Sequence, residues 1–433
     1  MNWATEFVLI IVVFLGLLCG GMWIPFAIGI TGVGLIIIHG GIDHLNSLGL
    51  VSWGSVNSFT LTAIPLFIFM AELLLTSGVS DRFYKGLSKL VRGLPGGLLQ
   101  TNIAGCSLFA AISGSSVATA AAIGTVAIPQ LNERKYDLSM SCGSLAAGGT
   151  LGILIPPSIA LILYGTFTET SIGKLFIAGL IPGILLSLTF MFYIGVRTRL
   201  NRDLAPREVI SVSFRESLVA AANLLPFMFL MAIVLGGIYL GMTTPTEAAA
   251  IGAFAAFFIS WIFGDLTISR FGTAIRQTIQ ISCSLLFIVL AAYIFSYGVE
   301  DAGLGTELAQ WMTSLGLSKF WFLALLFLVY AIMGCVIDSI GIIVLTVPLV
   351  YPVLLEMGIN PVWFGIVLVL FIELGQITPP LGINIFVIQG ISKATLGTIV
   401  RGTAPYYVII ILFIILVSFV PEIVLFLPER MSY

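Results

Sequence analysis

The sequence predicts an all-α polytopic membrane protein made of two inverted repeats, each with a re-entrant helical hairpin and a broken transmembrane helix. Three observations carry that prediction. Of 433 residues, 59% are hydrophobic and 9% charged, with a mean hydropathy of +1.14, which is more apolar surface than a water-soluble core hides. Two stretches, 113–157 and 334–380, each lead from a turn of small residues to an apolar run broken at a Pro-Pro pair. Lysine and arginine, finally, gather on alternate connections, as the positive-inside rule requires.

Apolar stretches of spanning length fall at about 4–20, 22–39, 58–77, 176–196, 218–241, 243–263, 278–298 and 403–427. The uncharged Met1, Asn2 and Trp3 lead straight into the first of them without a basic leader, so it reads as a membrane helix and not as a removed signal. Between the spans, 98–131 and 320–356 read as hairpins that enter and leave by one face, and 138–167 and 361–391 as broken helices that cross. With the amino terminus outside, 15 of the 18 lysines and arginines fall on the cytoplasmic side, and only Lys174, Lys319 and Arg430 lie outside. That parity requires both hairpins to be re-entrant, 98–131 from the cytoplasmic side and 320–356 from the outer side, and it leaves the carboxyl terminus outside. Residues 81–92 and 265–277 mix charge with apolar residues at helical spacing, and are either helices along the membrane surface or solvated loops. The acidic segment 299–318 reads as an outer loop.

The chain is thus one membrane domain, 1–433, with a first repeat over 1–220 and a second over 221–433. Gly21, Met22 and Pro25 return 220 residues later as Gly241, Met242 and Pro245, and Gly114 returns as Gly334. After a three-residue insertion the shift is 223, and Gly152, Pro156 and Pro157 meet Gly375, Pro379 and Pro380. An ordered series of this kind is the signature of inverted repeats around a transport site.

Irregular backbone inside a bilayer is tolerated only where protein buries it or it lines a cavity. At the first break Ser113, Ser115, Ser116 and Thr119 offer hydroxyls beside free turn carbonyls, a set able to replace the water shell of a small cation such as sodium. Small residues that let helices pack closely are the competing account, preferred for Ala118, Ala120, Ala121 and Ala122. At the second break Asp338 follows Gly334, opposite Gly375, Gln376 and Thr378. A carboxylate there faces a polar interior or a cation, caps the returning helix, or does both. Glu373 is a weaker candidate, and Glu247 reads as a cap or packing residue. Helix amino termini after Pro157 and Pro380 carry partial positive charge that attracts an anion. A solute between the centres is expected to meet Ser116, Thr150, Pro157, Gln376 and Asn384, although Asn384 equally suits the loose backbone.

Other chemistry is poorly supplied. Cysteines 19, 106, 142, 283 and 335 lack metal-site spacing and read as buried packing residues. The two histidines, His39 and His44, sit far from the serine turn, so an intramembrane enzyme lacks a base. No nucleic-acid-binding patch is visible.

The segment Ser113, Gly114, Ser115, Ser116, Val117, Ala118, Thr119, the run Ala147 to Gly152 leading to Pro156 and Pro157, and the run Gly375 to Pro380 resemble the large membrane subunit of tripartite ATP-independent periplasmic (TRAP) transporters, within the ion transporter superfamily. The resemblance covers essentially the whole chain. It implies secondary transport, usually sodium-driven, of a carboxylate or related organic acid across the bacterial inner membrane by an elevator mechanism. A small four-helix membrane subunit and a periplasmic solute-binding protein are the implied partners, besides membrane lipids. Carried onto this chain, it implies sodium ligands from Ser113, Gly114, Ser115, Ser116 and Gly152 at one centre and from Gly334, Asp338, Gly375 and Thr378 at the other. One departure stands out: at the constant shift Ser115 and Ser116 fall opposite Cys335 and Val336. The alternative within transport is a single-component or proton-coupled organic-anion carrier, with Asp338 and Glu373 as proton sites.

Overall fold

The computed structural model describes residues 3–91, 93–206, 214–316, 318–379 and 382–431. Its helices are, in the first half, α1 (Trp3–Cys19), α2 (Ile24–Gly40), α3 (Ser47–Val56), α4 (Ala63–Thr76), α5 (Val79–Val91), α6 (Leu98–Ser113), α7 (Ser116–Glu133), α8 (Leu138–Leu154), α9 (Ile159–Phe167) and α10 (Ile172–Leu200). The second half contains α11 (Phe214–Tyr239), α12 (Pro245–Phe263), α13 (Ile268–Asp301), α14 (Leu304–Ser314), α15 (Lys319–Gly334), α16 (Ser339–Glu356), α17 (Pro361–Gln376), α18 (Ile383–Ser392), α19 (Leu396–Phe419) and the short α20 (Glu422–Leu425). Among the described residues there is no strand, and eight helical stretches are long and apolar enough to cross a membrane.

Local chemistry sets many of the boundaries. Asp137, Ser158, Ser171, Ser318, Asn360 and Thr395 each accept a backbone N–H at the start of the helix that follows. Thr244 and Glu247 form a capping box ahead of α12, the Glu247 carboxylate accepting the Thr244 N–H at 2.8 Å, so Glu247 is the cap its position predicted.

Three expectations change, and one open choice is decided. The segment 265–277 and the span after it are one helix, α13, of 34 residues and ~50 Å at 1.5 Å per residue. No proline interrupts it, so nothing ends the surface segment before the span begins. The acidic segment 299–318 contains a helix, α14, in place of a loop. Of the two options for 81–92, the helix holds: α5 is amphipathic, buries Val79, Phe83, Tyr84 and Leu87, and stacks Phe83 on Phe227 of α11 at 4.1 Å. Arg92 itself lies outside the described residues. Finally, Cys106 and Cys142 are buried as expected, whereas Cys19 and Cys283 are exposed on the outer surfaces of their helices.

Helix order recurs along the chain. α6 and α15 start and end 221 residues apart, and α7 and α16 start and end 223 apart. The change of shift therefore falls in the hairpin tips, which are Gly114–Ser115 in one half and Cys335–Asp338 in the other. Ser115 thus stands opposite Asp338 and Ser116 opposite Ser339, which accounts for the mismatch that a constant shift produced.

Burial is graded from the centre outward. Every residue of α8 from Met140 to Leu154 and of α17 from Trp363 to Gln376 is buried. α8 packs against α6, α7, α18, α19 and α17, and α17 also against α15 and α10, so the two broken helices lie side by side at the core. Large apolar side chains such as Val12, Phe229, Phe254 and Leu412 point outward from the peripheral helices, as a lipid-facing surface requires.

Candidate functional site

The first centre is built where the tip of the α6–α7 hairpin meets the break between α8 and α9. α6 ends because Gly114 adopts a left-handed conformation, φ +59°, which suits glycine. Ser115 then caps α7, its hydroxyl accepting the Ala118 N–H at 3.4 Å. Around this turn the hydroxyls of Ser113 and Thr119 lie 2.6 Å apart, and Thr119 Oγ1 donates to the Ser115 carbonyl at 2.8 Å. The break closes onto the turn: the Ile159 N–H donates to the Gly114 carbonyl at 3.3 Å. A Cβ on Gly152 would stand 2.5 Å from the Ser115 carbonyl oxygen and 2.7 Å from Thr119 Oγ1, and one on Gly114 would stand 2.7 Å from the Pro157 carbonyl oxygen. Ser113, Gly114, Ser115, Gly152 and Pro157 are therefore brought together. Hydroxyl and carbonyl oxygens without a fixed cation suit a hard monovalent ion.

At the second centre the α15–α16 hairpin meets the break after α17. Gly334 and Gly375 touch backbone to backbone, since a Cβ on either would stand 2.6 Å from the Cα of the other. Asp338 caps α16, its carboxylate accepting the N–H groups of Ile340 at 3.3 Å and Gly341 at 3.4 Å. Thr378 donates to the Leu374 carbonyl at 2.6 Å, and the Cys335 thiol reaches the Thr378 carbonyl at 3.7 Å. Gln376 Oε1 and both carboxyl oxygens of Glu373 are buried without a hydrogen-bond partner among the described residues. Glu373, the weaker candidate, therefore makes no pair with another helix among the described residues. Pro380, the second proline of this break, lies outside the described residues.

The remaining predicted residues link the centres. Asn384, on α18, donates from Nδ2 to Ser116 Oγ at 2.7 Å and to the Ala146 carbonyl at 3.2 Å, so it ties the second half to both α7 and α8. Its Oδ1 is buried and has no partner among the described residues. Thr150 is fully buried and donates to Ala147 of its own helix at 2.7 Å. The two half-helices after the breaks start differently. Ser158 caps α9, while Gly382, at the head of α18, has no side chain to offer.

Both hairpins reach one cavity of about 140 Å³, lined from the first tip by Ser113, Gly114 and Ser115, from the second hairpin by Ser339 and Ile340, and from the facing helices by Glu72 of α4 and Ile281 and Leu285 of α13. A larger hollow of about 720 Å³ lies between the α9–α10 and α11–α12 turns and touches none of the predicted site residues, so it is not the site assembled here. Sequence reasoning missed Ser158, which accepts the Leu161 N–H at 3.4 Å and donates to the Ile153 carbonyl at 2.6 Å, spanning the break. A serine directly after Pro-Pro was the available signal. Ser339, beside Asp338 just past Gly334 in the sequence, is matched to Ser116 only once the tip insertion is placed.

Comparison with known proteins places the chain among transporters. The family described as tripartite ATP-independent periplasmic transporter, DctM component, matches residues 11–423. The chain is 37% identical to the C4-dicarboxylate TRAP transporter large permease protein DctM of Pseudomonas aeruginosa, over 93% of this chain and 94% of that one. It is 30% identical to the sialic acid TRAP transporter large permease protein SiaM of Vibrio cholerae, over 96% of each. Among solved structures, the YdaH transporter of Alcanivorax borkumensis superposes with a TM-score of 0.65 at 16% identity, covering 88% of this chain and 90% of that one, a likeness of fold alone.

Proposed function

The chain belongs to the DctM component family of tripartite ATP-independent periplasmic transporters, whose members are transporter permeases and not enzymes, and from that premise we propose that it carries out sodium-coupled uptake of a small organic anion. The observation that carries the proposal is the meeting of the first hairpin tip and the start of α16 at one cavity, with Ser113 and Ser115 on its wall and Thr119 bonded behind them. Relatives named for C4-dicarboxylates and for sialic acid share a carboxylate, which makes a carboxylic or related acid the solute class. Sodium is held by Ser113, Gly114, Ser115, Ser116 and Gly152 at one centre and by Gly334, Asp338, Gly375 and Thr378 at the other. The acid lies between them, within reach of Ser116, Thr150, Pro157, Gln376 and Asn384, and near the uncapped amino terminus of α18.

Transport proceeds as an elevator, in which α6–α9 and α15–α18 move together against the other membrane helices. The bonds from Asn384 to Ser116 and Ala146 support this, because they join the two halves of the moving block. The halves are inverted repeats, with boundaries near 220, and the positive-inside count puts both termini on the periplasmic side of the inner membrane. A small four-helix membrane subunit and a periplasmic binding protein complete the system, the latter delivering the acid.

The test needs no knowledge of the solute. Thermal stability of the purified protein is followed across a sodium titration, with choline holding ionic strength constant. A ligand that binds only the folded state stabilises by RT ln(1 + [L]/Kd), so a saturating shift specific to sodium is expected, abolished or displaced in Ser115→Ala and Asp338→Asn. Equal behaviour in sodium and choline would overturn the sodium assignment.

A further inference from the structure

Glu72 lies one turn before the end of α4, in a helix that is otherwise apolar up to its last residue, Thr76, and packed against α12 and α13. It is half-buried, and among the described residues its carboxylate has neither a hydrogen bond nor an ion pair. An ionisable group inside a membrane helix is costly, and those that persist face a protein interior or a polar cavity. Glu72 does the latter. It lines the 140 Å³ cavity opposite Ser113, Ser115 and Ser339, and among the described residues no lysine, arginine or histidine lines that cavity with it. Every other wall is apolar or glycine. The carboxylate therefore has hydroxyls for company and no opposite charge, in a space large enough for an ion with some of its water.

We propose that Glu72 supplies the charged ligand of a further cation site, set between the helix that faces the hairpins and the hairpins themselves, in which a monovalent cation such as sodium is held between this carboxylate and the hydroxyls of Ser339 and of Ser113 and Ser115, the last two shared with the first centre. The inference rests on the sodium-coupled reading and adds a ligand from outside the proposed moving block. Its consequence is an order of binding. An anionic solute approaching the cavity meets an unpaired carboxylate and is repelled, and a cation placed there first removes the repulsion. Release of that cation is then tied to the movement of the hairpin tips away from α4.

The decisive measurement is the same sodium titration of thermal stability, made on wild type, Glu72→Gln and Glu72→Asp. Neutralising the one charged ligand of the site should raise the sodium concentration for half-maximal stabilisation about tenfold in Glu72→Gln, while Glu72→Asp, which keeps the charge, stays near wild type. An unchanged midpoint in Glu72→Gln, with a wild type that responds to sodium, overturns this site and leaves the hairpin sites standing. A wild type that does not respond removes both. Should Glu72→Gln fail to fold, the wild-type protein decides alone: labelling of Glu72 by a hydrophobic carbodiimide, located by mass spectrometry, should slow in sodium but not in choline. Equal labelling rates in the two salts overturn the proposal.

Discussion

Asn384 shows how a single side chain takes on a role that its neighbourhood in sequence does not announce. From the chain alone it suited either a solute or loose backbone. In the folded protein its amide spans 2.7 Å to Ser116 and 3.2 Å to Ala146, residues far away in sequence. Replacing it with leucine leaves a buried hydroxyl and carbonyl without their donor, at ~1–3 kcal/mol. The expected result is a lower unfolding temperature, accompanied by weaker sodium stabilisation if the two halves must stay in register. Gly375 makes the complementary case. Because a methyl group there would sit 2.6 Å from the Gly334 Cα, Gly375→Ala forces the second hairpin away from the break. A destabilisation of ~1–3 kcal/mol is expected, and a variant as stable as wild type would show that the two backbones separate freely.

At the scale of elements, the hairpins and broken helices follow from punctuation that is visible in the chain itself: Gly114 and Ser115 at a tip, Pro156 and Pro157 at a break, Asp338 at a cap. What escaped were the joins. α13 runs through a boundary at which a surface helix was expected to stop, because no proline interrupts it between Ile268 and Asp301. α5 was equally compatible with a loop, and it is the apolar face packed on α11 that decides for a helix. Phe83, stacked at 4.1 Å on Phe227, is one anchor of α5, beside the buried Tyr84 bonded to Asn102. Phe83→Ala should cost ~3–5 kcal/mol. Limited proteolysis would detect the effect as new cleavage near residues 79–91, and protection equal to wild type would show the arm to be held elsewhere.

At the scale of the whole molecule, the disposition of charge predicts which surface faces which compartment. In a chain freed of its native cysteines, Asp203→Cys should react with a membrane-impermeant maleimide only after the membrane is opened, and Gln310→Cys should react in intact cells with a permeable outer membrane. Both residues are exposed, so access is limited by the compartment and not by burial. The reverse pattern would invert the topology and exchange the faces assigned to the two hairpins.

Composition, periodicity and punctuation were enough to determine an all-helical membrane protein, six of its eight expected spans, the two tips and the two breaks, because each is a local matter of hydropathy, helix capping or proline geometry. The first two expected spans are helices of 17 residues, shorter than the rest. Ser113, Ser115 and Asp338 were legible as candidates for the same local reason, whereas Gly152 entered as a ligand only through the family resemblance. Only the tertiary structure decided which oxygens meet: that Gly152 packs on the Ser115 carbonyl, that Ser115 and Asp338 are equivalent caps, and that Glu72 shares a cavity with both hairpins. Those relations join residues tens to hundreds of positions apart through close packing at the core, and spacing along the chain does not encode such contacts.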